Sequence, residues 1–246
     1  MKRILAGPNA VRTALDEDPG ALSVVYLTEG LRPGVKRKLE DLCAAGKVRM
    51  ESVERENLDA ICGELSHQGV AAIGGYFPYR DLDQVIERAL ASTPSLIVVL
   101  DQVQDPGNLG AIVRSAHSLG AAGIVLTKDR SAAVTGAAVR ASAGATECTA
   151  IARVTNLARA LDTIKDRGLF VLGAAMDGDP IDTVDMSGPC ALVLGNEGKG
   201  LRRLTRERCD LLFSIPMAGG FESLNVSAAA AIALFVASRA SIPKER

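Results

Sequence analysis

The chain has 246 residues and a net charge of −1, from 28 lysines and arginines against 29 aspartates and glutamates. This balance excludes a protein that holds nucleic acid by bulk positive charge, so any RNA- or DNA-binding surface must be local. Hydrophobic residues make up 48% of the chain, which excludes wholesale disorder, and aromatic residues make up 3%, too few for a sheet that stacks several bases on its rings.

The first 78 residues alternate short apolar runs with amphipathic segments. Strands are predicted at Leu22–Leu27, Val48–Val53 and Val70–Tyr76, and helices at Val11–Leu15, Val35–Ala45 and Asn57–Gly63. This alternation predicts a small α/β/α sandwich. Residues 79–94 are predicted to form a linker with a helix at Leu82–Ala91, which Pro94 follows.

The second predicted domain, residues 95–246, has a more regular rhythm of strand and helix. Strands are predicted at Leu96–Leu100, Gly123–Leu126, Leu169–Gly173, Cys190–Leu194 and Leu211–Ile215. Helices are predicted at Asn108–Leu119, Val134–Ala143, Thr155–Arg167, Leu201–Glu207 and Leu224–Arg239. Continuous apolar strands such as LIVVL and CALVL are typical of a parallel sheet that is covered on both faces.

Three loops follow strands of this sheet, where ligands of open α/β folds collect. In the loop 101–108, Asn108 is predicted to cap the next helix, and in the loop 215–227 Ser223 has that role with Asn225 in the first turn. The loop 195–200 holds three glycines, but Gly200 stands where a phosphate loop needs Ser or Thr. Each loop by itself fits an ordinary turn or cap as well as a ligand site.

Two charged residues of these segments can each be interpreted as structural or as functional. Arg114 is either an arginine that extends its head to solvent or a substrate-binding group, and Glu197 either orients a polar ligand or favours the start of the next helix. The sequence shows neither a hydrolase triad, since His67 and His117 are its only histidines, nor metal-ligand spacing, so no metal is expected.

Five cysteines, at positions 43, 62, 148, 190 and 209, form no CxxC pair and are odd in number, which predicts reduced thiols. The most apolar stretch, Val226–Val236, is too short to span a bilayer. We therefore expect a soluble, cytoplasmic protein that does not bind membranes.

Taken together, the three loops resemble one known family. The segments LDQVQDPGNLGAIVRSAHSLGA (100–121), LVLGNEGKGLRRLTRERCD (192–210) and SIPMAGGFESLNVSAAAAIALF (214–235) are similar, in order and separation, to the three motifs of the SpoU/TrmH family. These proteins are S-adenosylmethionine-dependent RNA 2′-O-ribose methyltransferases of the SPOUT superfamily. The resemblance covers about Leu96 to the C-terminus and implies a trefoil knot, a rare exception to the rule against threaded chains.

The N-terminal part carries a weaker resemblance. GPNAVRTAL near the start and HQGVAAI (67–73) are similar to the small RNA-binding domain of bacterial 23S rRNA guanosine-2′-O-methyltransferases. The chain departs from that pattern at Pro8–Asn9, where Gly-x-His is usual, so any RNA contact by that His is lost. The resemblance of both halves favours 23S rRNA as substrate over tRNA.

The resemblance also implies roles for named residues. Arg114 would lie near the ribose 2′-hydroxyl and a target phosphate, and either orients them or acts as the base that the family is proposed to use, although a guanidinium is a poor base. Asn108 and Glu197 would hold this arginine and the ribose, and Ser223 and Asn225 would bind substrate or position its hydroxyl. Backbone groups at Gly195, Ile215 and Leu224 would hold S-adenosylmethionine.

The family dimerises through the catalytic domain, which implies a homodimer in which Arg114 serves the partner's site. We expect the Ala-rich last helix to pack either in the core or at that dimer interface. RNA contacts are expected from two basic clusters, Arg32, Lys36, Arg37 and Lys38 in the first domain and Arg202, Arg203, Arg206 and Arg208 after the second motif. The alternatives are a tRNA methyltransferase, a non-catalytic RNA-binding or assembly protein of the same fold, and a small-molecule enzyme with a Rossmann-type sheet.

Overall fold

The structure, a computed structural model, describes residues 3–196, 198–219 and 223–241. The first sheet has the strand order β1-β4-β2-β3 and mixed directions, because β4 runs antiparallel to β1 and β2 while β2 and β3 are parallel. Its strands are β1 (Arg3–Ala6), β2 (Leu22–Leu27), β3 (Met50–Ser52) and β4 (Val70–Gly74). Its helices are α1 (Pro8–Glu17), α2 (Pro33–Gly46) and α3 (Arg55–Cys62).

Side chains alternate across this sheet and bury both of its faces. Leu5 and Ala72 lie in the same core cluster as residues of α1 and α2. Their chain neighbours Ala6 and Ala71 point the other way and pack with Leu58 of α3. The predicted α/β/α sandwich is confirmed, with the short strand β1 as an element that the sequence pattern did not indicate.

The second sheet has six strands, all parallel, in the order β10-β8-β9-β5-β6-β7. They are β5 (Leu96–Leu100), β6 (Gly123–Thr127), β7 (Ala150–Val154), β8 (Phe170–Pro180), β9 (Cys190–Leu194) and β10 (Leu211–Ser214). The helices are α4 (Leu82–Leu90), α5 (Pro106–Ser118), α6 (Gly136–Ala141), α7 (Ala145–Cys148), α8 (Leu157–Asp166), α9 (Arg203–Arg208) and α10 (Val226–Ala240). The predicted parallel α/β domain is confirmed.

Two strands of this sheet differ from the prediction. β7 was not predicted, because its inward side chains include the small Ala150 and Ala152 and give no apolar run. β8 extends beyond the predicted Gly173 to Pro180, through a polar segment, because residues 179 and 180 pair with Phe213 and Ser214 of β10 after a shift in register. Helix α4 packs its buried Val85, Ile86 and Ala89 against the core of this sheet.

The two sheets are joined by a buried ion pair. Arg3 of β1 donates to Glu147 of α7 with an N–O distance of 2.8 Å, and the two side chains are 5% and 4% exposed. Burial raises the pKa of Glu147, although the charge of Arg3 opposes this shift. Close packing extends the contact, since a Cβ at Gly144 would lie 2.8 Å from the Cα of Ala10.

The five cysteines are free thiols, as predicted. Among the described residues, no helix combines the length and the apolar character that crossing a bilayer requires.

Candidate functional site

Three loops meet at the edge of the second sheet where its strands end. β5 and β9 are neighbours with Leu100 opposite Leu194, so the loops that begin at residues 101 and 195 leave the sheet side by side. The loop after β10 joins them from across the sheet. This is the arrangement that the parallel strand pattern predicts, and hydrogen bonds connect the three loops.

The first two loops are held together by Asp101, whose side chain is fully buried. Its Oδ2 accepts from the backbone N–H of Arg202 at 3.0 Å, and its Oδ1 accepts from Arg202 Nε at 2.7 Å. Asn196 Nδ2 adds a hydrogen bond to the carbonyl oxygen of Gln102 at 3.1 Å. Asp101 was not among the predicted site residues, although a charged residue directly after a buried strand was a signal that could have found it.

The first and third loops meet through two asparagines that the sequence analysis selected. Asn225 Nδ2 donates to Asn108 Oδ1 at 3.1 Å, across 117 positions of the chain. This contact brings the end of the third motif to the first turn of α5. Two of the predicted candidates are therefore neighbours in space.

The predicted helix caps at this point were wrong. Asp105, not Asn108, caps α5, because its Oδ2 accepts from the backbone N–H of Asn108 at 2.8 Å. Asn225, not Ser223, caps α10, because its Oδ1 accepts from the backbone N–H of Ser227 at 2.8 Å. Each segment holds several residues that are favourable at an N-cap, so the sequence does not determine which of them begins the helix. Asn108 is thereby placed inside the first turn rather than at the cap.

A cleft of about 510 Å³ opens between the second and third loops. Gly195, Ile215, Ser223 and Leu224, all predicted site residues, contribute to its lining. Hydrophobic side chains such as Phe213 also line it. The cleft has the volume and the apolar walls of a site for a drug-sized ligand.

The glycine-rich loop that lines the cleft packs tightly on itself at Gly195. Two hydrogen bonds between Asn196 and Gly200, at 3.1 and 2.8 Å, close the glycine-rich loop on itself. A Cβ at position 195 would collide with the carbonyl carbon of Gly200. Only glycine fits here, because the loop folds back on its own backbone. The main chain of this loop and the apolar walls of the cleft suit the nucleoside of the methyl donor that the motifs imply.

The lining also includes charged residues that were not predicted as donor contacts. Arg206 of α9 and Asp177 of β8 face each other at the rim as a bidentate ion pair, with Nη1 and Oδ1 2.8 Å apart. The hydrogen bonds from Arg206 lower the pKa of Asp177. Their positions, 29 residues apart, gave no sign of this pairing.

One further candidate, Arg114, does not line the cleft. Arg114 is exposed on α5, six residues beyond Asn108, which turns it by roughly 240° around the helix axis from that residue. Its side chain has no hydrogen bond or ion pair within the described ranges. Glu197 lies outside the described residues.

Carboxylates balance the positive charge of the second predicted basic cluster. Its four arginines form ion pairs, Arg202 with Asp101, Arg203 with Glu207, Arg206 with Asp177 and Arg208 with Asp162. These pairs reduce the net positive charge of the cluster, and its contact with RNA stays a prediction. In the first cluster, by contrast, Arg37 and Lys38 are exposed and form no ion pair with any described residue.

Comparison with known proteins decides the family. The model of the SpoU rRNA Methylase family matches residues 95–235, and the model for RNA 2′-O ribose methyltransferase substrate binding matches residues 4–76. The chain belongs to the SpoU rRNA methylase family. Membership confirms the resemblance seen in the three motifs and makes the chain a methyltransferase, with a substrate-binding domain ahead of the SpoU domain.

Relatives of this SpoU protein match it over nearly the whole chain. The 23S rRNA (guanosine-2′-O-)-methyltransferase RlmB of Pseudomonas putida is 40% identical over 240 residues, which cover 95% of this chain and 94% of that protein. The crystal structure of an AdoMet-bound rRNA methyltransferase from Sinorhizobium meliloti has a TM-score of 0.81 at 28% identity and covers 98% of this chain and 88% of its own.

A tRNA-modifying relative matches less of the chain. The crystal structure of the TrmH/SpoU tRNA modifying enzyme of A. aeolicus has a TM-score of 0.55 at 29% identity, and it covers 65% of this chain and 81% of its own. The matched share is about that of the SpoU domain alone.

Proposed function

We propose that this protein transfers a methyl group from S-adenosylmethionine to the ribose 2′-oxygen of a guanosine in 23S rRNA. The observation that carries the proposal is the meeting of three motif loops at one edge of a parallel sheet, with a cleft of about 510 Å³ between the second and the third of them. Relatives support the substrate, since the RlmB protein of Pseudomonas putida matches both domains. An rRNA substrate also makes the cytoplasm the place of action.

In this proposal the cleft binds the donor through its backbone. The donor supplies a sulfonium methyl group, and its leaving group is a neutral thioether. Gly195 allows the loop to fold back on Gly200 and form one wall of the cleft, and the main-chain groups of Ile215 and Leu224 hydrogen-bond to the nucleoside. Apolar residues can bind the donor because their backbone N–H and C=O groups, like polar side chains, can form hydrogen bonds to a base.

The ribose is then held by the polar groups beside the cleft. The hydrogen-bonded pair of Asn108 and Asn225 lies where the first and third loops meet, and we assign it the position of the ribose beside the donor. Ser223 lines the cleft and Glu197 belongs to the loop that forms its other side, so both are proposed to position the 2′-hydroxyl. As the C–O bond to the methyl group forms and the S–C bond of the donor breaks, the proton of the hydroxyl passes to solvent water and S-adenosylhomocysteine leaves as a neutral thioether.

Arg114 has an electrostatic part in the proposal. A guanidinium stays protonated, so it can neutralise a target phosphate and stabilise the developing alkoxide, which lowers the pKa of the hydroxyl. Its exposed position on α5, away from Asn108, suits a residue that reaches the cleft of a second subunit.

We therefore include a homodimer through the catalytic domain and the trefoil knot in the proposal. The last helix supports the dimer, since Phe235 is 56% exposed and Ile232 is 38% exposed on its surface. Apolar side chains left in water favour association with a second apolar face.

Transfer of labelled methyl groups tests the proposed reaction. Purified protein, labelled S-adenosylmethionine and unmodified 23S rRNA should give one 2′-O-methylguanosine, mapped by its resistance to alkaline cleavage. Unmodified 16S rRNA and tRNA serve as competitors. A methyl group on a base, or transfer to tRNA alone, would contradict the proposal.

The matched variants are Arg114→Ala and Arg88→Ala. We expect the first to lose about 100-fold or more of kcat, because it removes charge stabilisation from the reacting oxygen. Arg88 is an exposed arginine of α4, so its loss should leave kcat unchanged. Donor binding without any transfer by the wild type would favour a non-catalytic assembly protein instead.

A further inference from the structure

The rim of the cleft carries a pair of opposite charges that has no part in the proposed methyl transfer. Arg206 Nη1 donates to Asp177 Oδ1 at 2.8 Å, and Nη2 donates to Oδ2, so the two groups meet side by side. Both residues line the cleft. Their side chains are 41% and 66% exposed, which leaves them accessible to a ligand that enters.

The rest of the lining offers few charges. Within the described ranges, Lys199 is the other charged residue of the cleft, and hydrophobic side chains and glycine backbone make up most of the remaining wall. A nucleoside suits that wall. The part of the lining that Arg206 and Asp177 form is therefore fitted to a group that carries both a negative and a positive charge.

The amino-acid end of the methyl donor has these two charges. Its α-carboxylate matches the planar fork of a guanidinium, which binds carboxylates in a bidentate manner. Its α-ammonium matches a carboxylate acceptor. The existing contact between Arg206 and Asp177 has the same form, in which each side chain occupies the place of the donor's group.

We propose that Arg206 and Asp177 form the subsite for the amino-acid end of the methyl donor, with Arg206 binding its carboxylate and Asp177 its ammonium. The proposal rests on the proposed function, because it takes S-adenosylmethionine as the ligand. Exposed ion pairs contribute little to folding, so the two side chains can part at small cost. Two new ion pairs replace one, and the charges remain balanced.

The competing explanation is a brace between two elements. Asp177 belongs to the end of β8 and Arg206 to the short helix α9, so their contact also ties these segments together. A brace and a subsite differ in one measurable respect. If the ion pair only ties the two segments together, its loss lowers the affinity of the cleft for every ligand. If it is a subsite, its loss lowers the affinity only for ligands that have the amino-acid end.

Calorimetric titration with two nucleosides separates these explanations. S-adenosylhomocysteine has the amino-acid end, and 5′-methylthioadenosine lacks it but keeps the adenosine and the sulfur. We expect the wild type to bind the first about tenfold or more tightly than the second. Arg206→Gln should remove most of that preference while leaving the affinity for 5′-methylthioadenosine unchanged.

The matched control is Arg203→Gln, on the same helix. Arg203 pairs with Glu207 and does not line the cleft, so its variant should keep the full preference. Asp177→Asn provides a second test, because it keeps the size of the side chain and loses its charge. This variant should also lower the affinity for S-adenosylhomocysteine and leave the affinity for 5′-methylthioadenosine unchanged.

The outcomes are distinct. An unchanged preference in both Arg206→Gln and Asp177→Asn, or an equal loss of affinity for both nucleosides, would overturn the subsite while the donor cleft stands. If the wild type binds neither nucleoside, the proposed function itself fails, and the subsite fails with it.

Discussion

The two sheets of this protein show how strand direction decides where chemistry can occur. The six strands of the second sheet are all parallel, so the loops after β5, β9 and β10 leave from one edge. The first sheet mixes directions, with β4 antiparallel to both of its neighbours, and its loops are divided between two edges. A site assembled from several motifs therefore forms on the second sheet.

The surfaces of the two regions differ in the same sense. Beside the cleft, the arginines after the second motif are held by carboxylates. On α2 of the first region, Arg37 and Lys38 remain exposed. The difference suggests a division of work, in which the second region performs methyl transfer and the first contributes electrostatic attraction to RNA. Each of the following predictions tests that division.

The largest effect is expected at Asp101, which ties two loops of the second sheet together. Asp101→Ala removes the carboxylate that accepts two hydrogen bonds from Arg202 and leaves its backbone N–H without this partner, so we expect a loss of about 3 kcal/mol in the free energy of unfolding and a loss of donor binding. The control Asp162→Ala breaks an exposed ion pair with Arg208 and should cost less than about 1 kcal/mol. Urea unfolding and calorimetry measure both. Equal losses in the two variants would show that Asp101 does not organise the site.

A second test concerns the backbone of the cleft. Gly195→Ala places a methyl group against Gly200, so we expect donor affinity to fall by about 100-fold, equivalent to about 2.7 kcal/mol. Gly188→Ala is the control, because a Cβ at that position meets no atom within 4 Å. Equilibrium binding of S-adenosylhomocysteine provides the measurement. Unchanged affinity in Gly195→Ala would move the donor away from this loop.

The first region is tested by its salt dependence. The double variant Arg37→Ala/Lys38→Ala should weaken rRNA binding about tenfold and reduce the slope of log Kd against log salt by about 1 to 2, with kcat unchanged. Arg203→Ala, in which a paired arginine is lost, is the control for RNA binding. Filter binding at several salt concentrations measures the slopes. If the control changes the slope more than the double variant does, the assignment of RNA attraction to α2 is wrong.

The smallest effect is expected from the contact between the first and third loops. Asn225→Ser keeps an N-cap for α10 but loses the donor to Asn108, so kcat/KM should fall about fivefold with a nearly unchanged melting temperature. Asn156→Ser makes the same change at the N-cap of α8 and should leave kcat/KM unaltered. Equal activity of the two variants would count against a role for the asparagine pair in positioning the ribose.

Sequence patterns revealed the main strands because buried parallel strands are apolar without interruption. They missed β7, whose inward alanines give no such run, and they misplaced both helix caps where several capping residues compete. Asp101 and Arg202 are 101 positions apart, and their contact depends on the pairing of β5 with β9. The resemblance to the family motifs predicted site residues in all three loops. Ion pairs such as that of Asp177 with Arg206 could be found only in the folded chain, because their partners are far apart in the sequence.

The structure of this protein with S-adenosylhomocysteine bound tests the central claim most directly. We predict that the adenosine occupies the cleft between the loops 195–200 and 215–224, within hydrogen-bond distance of the main chain of Ile215 and Leu224. The sulfur atom should face Asn108 and Asn225. Density for the nucleoside at any other place, with this cleft empty, would contradict the account.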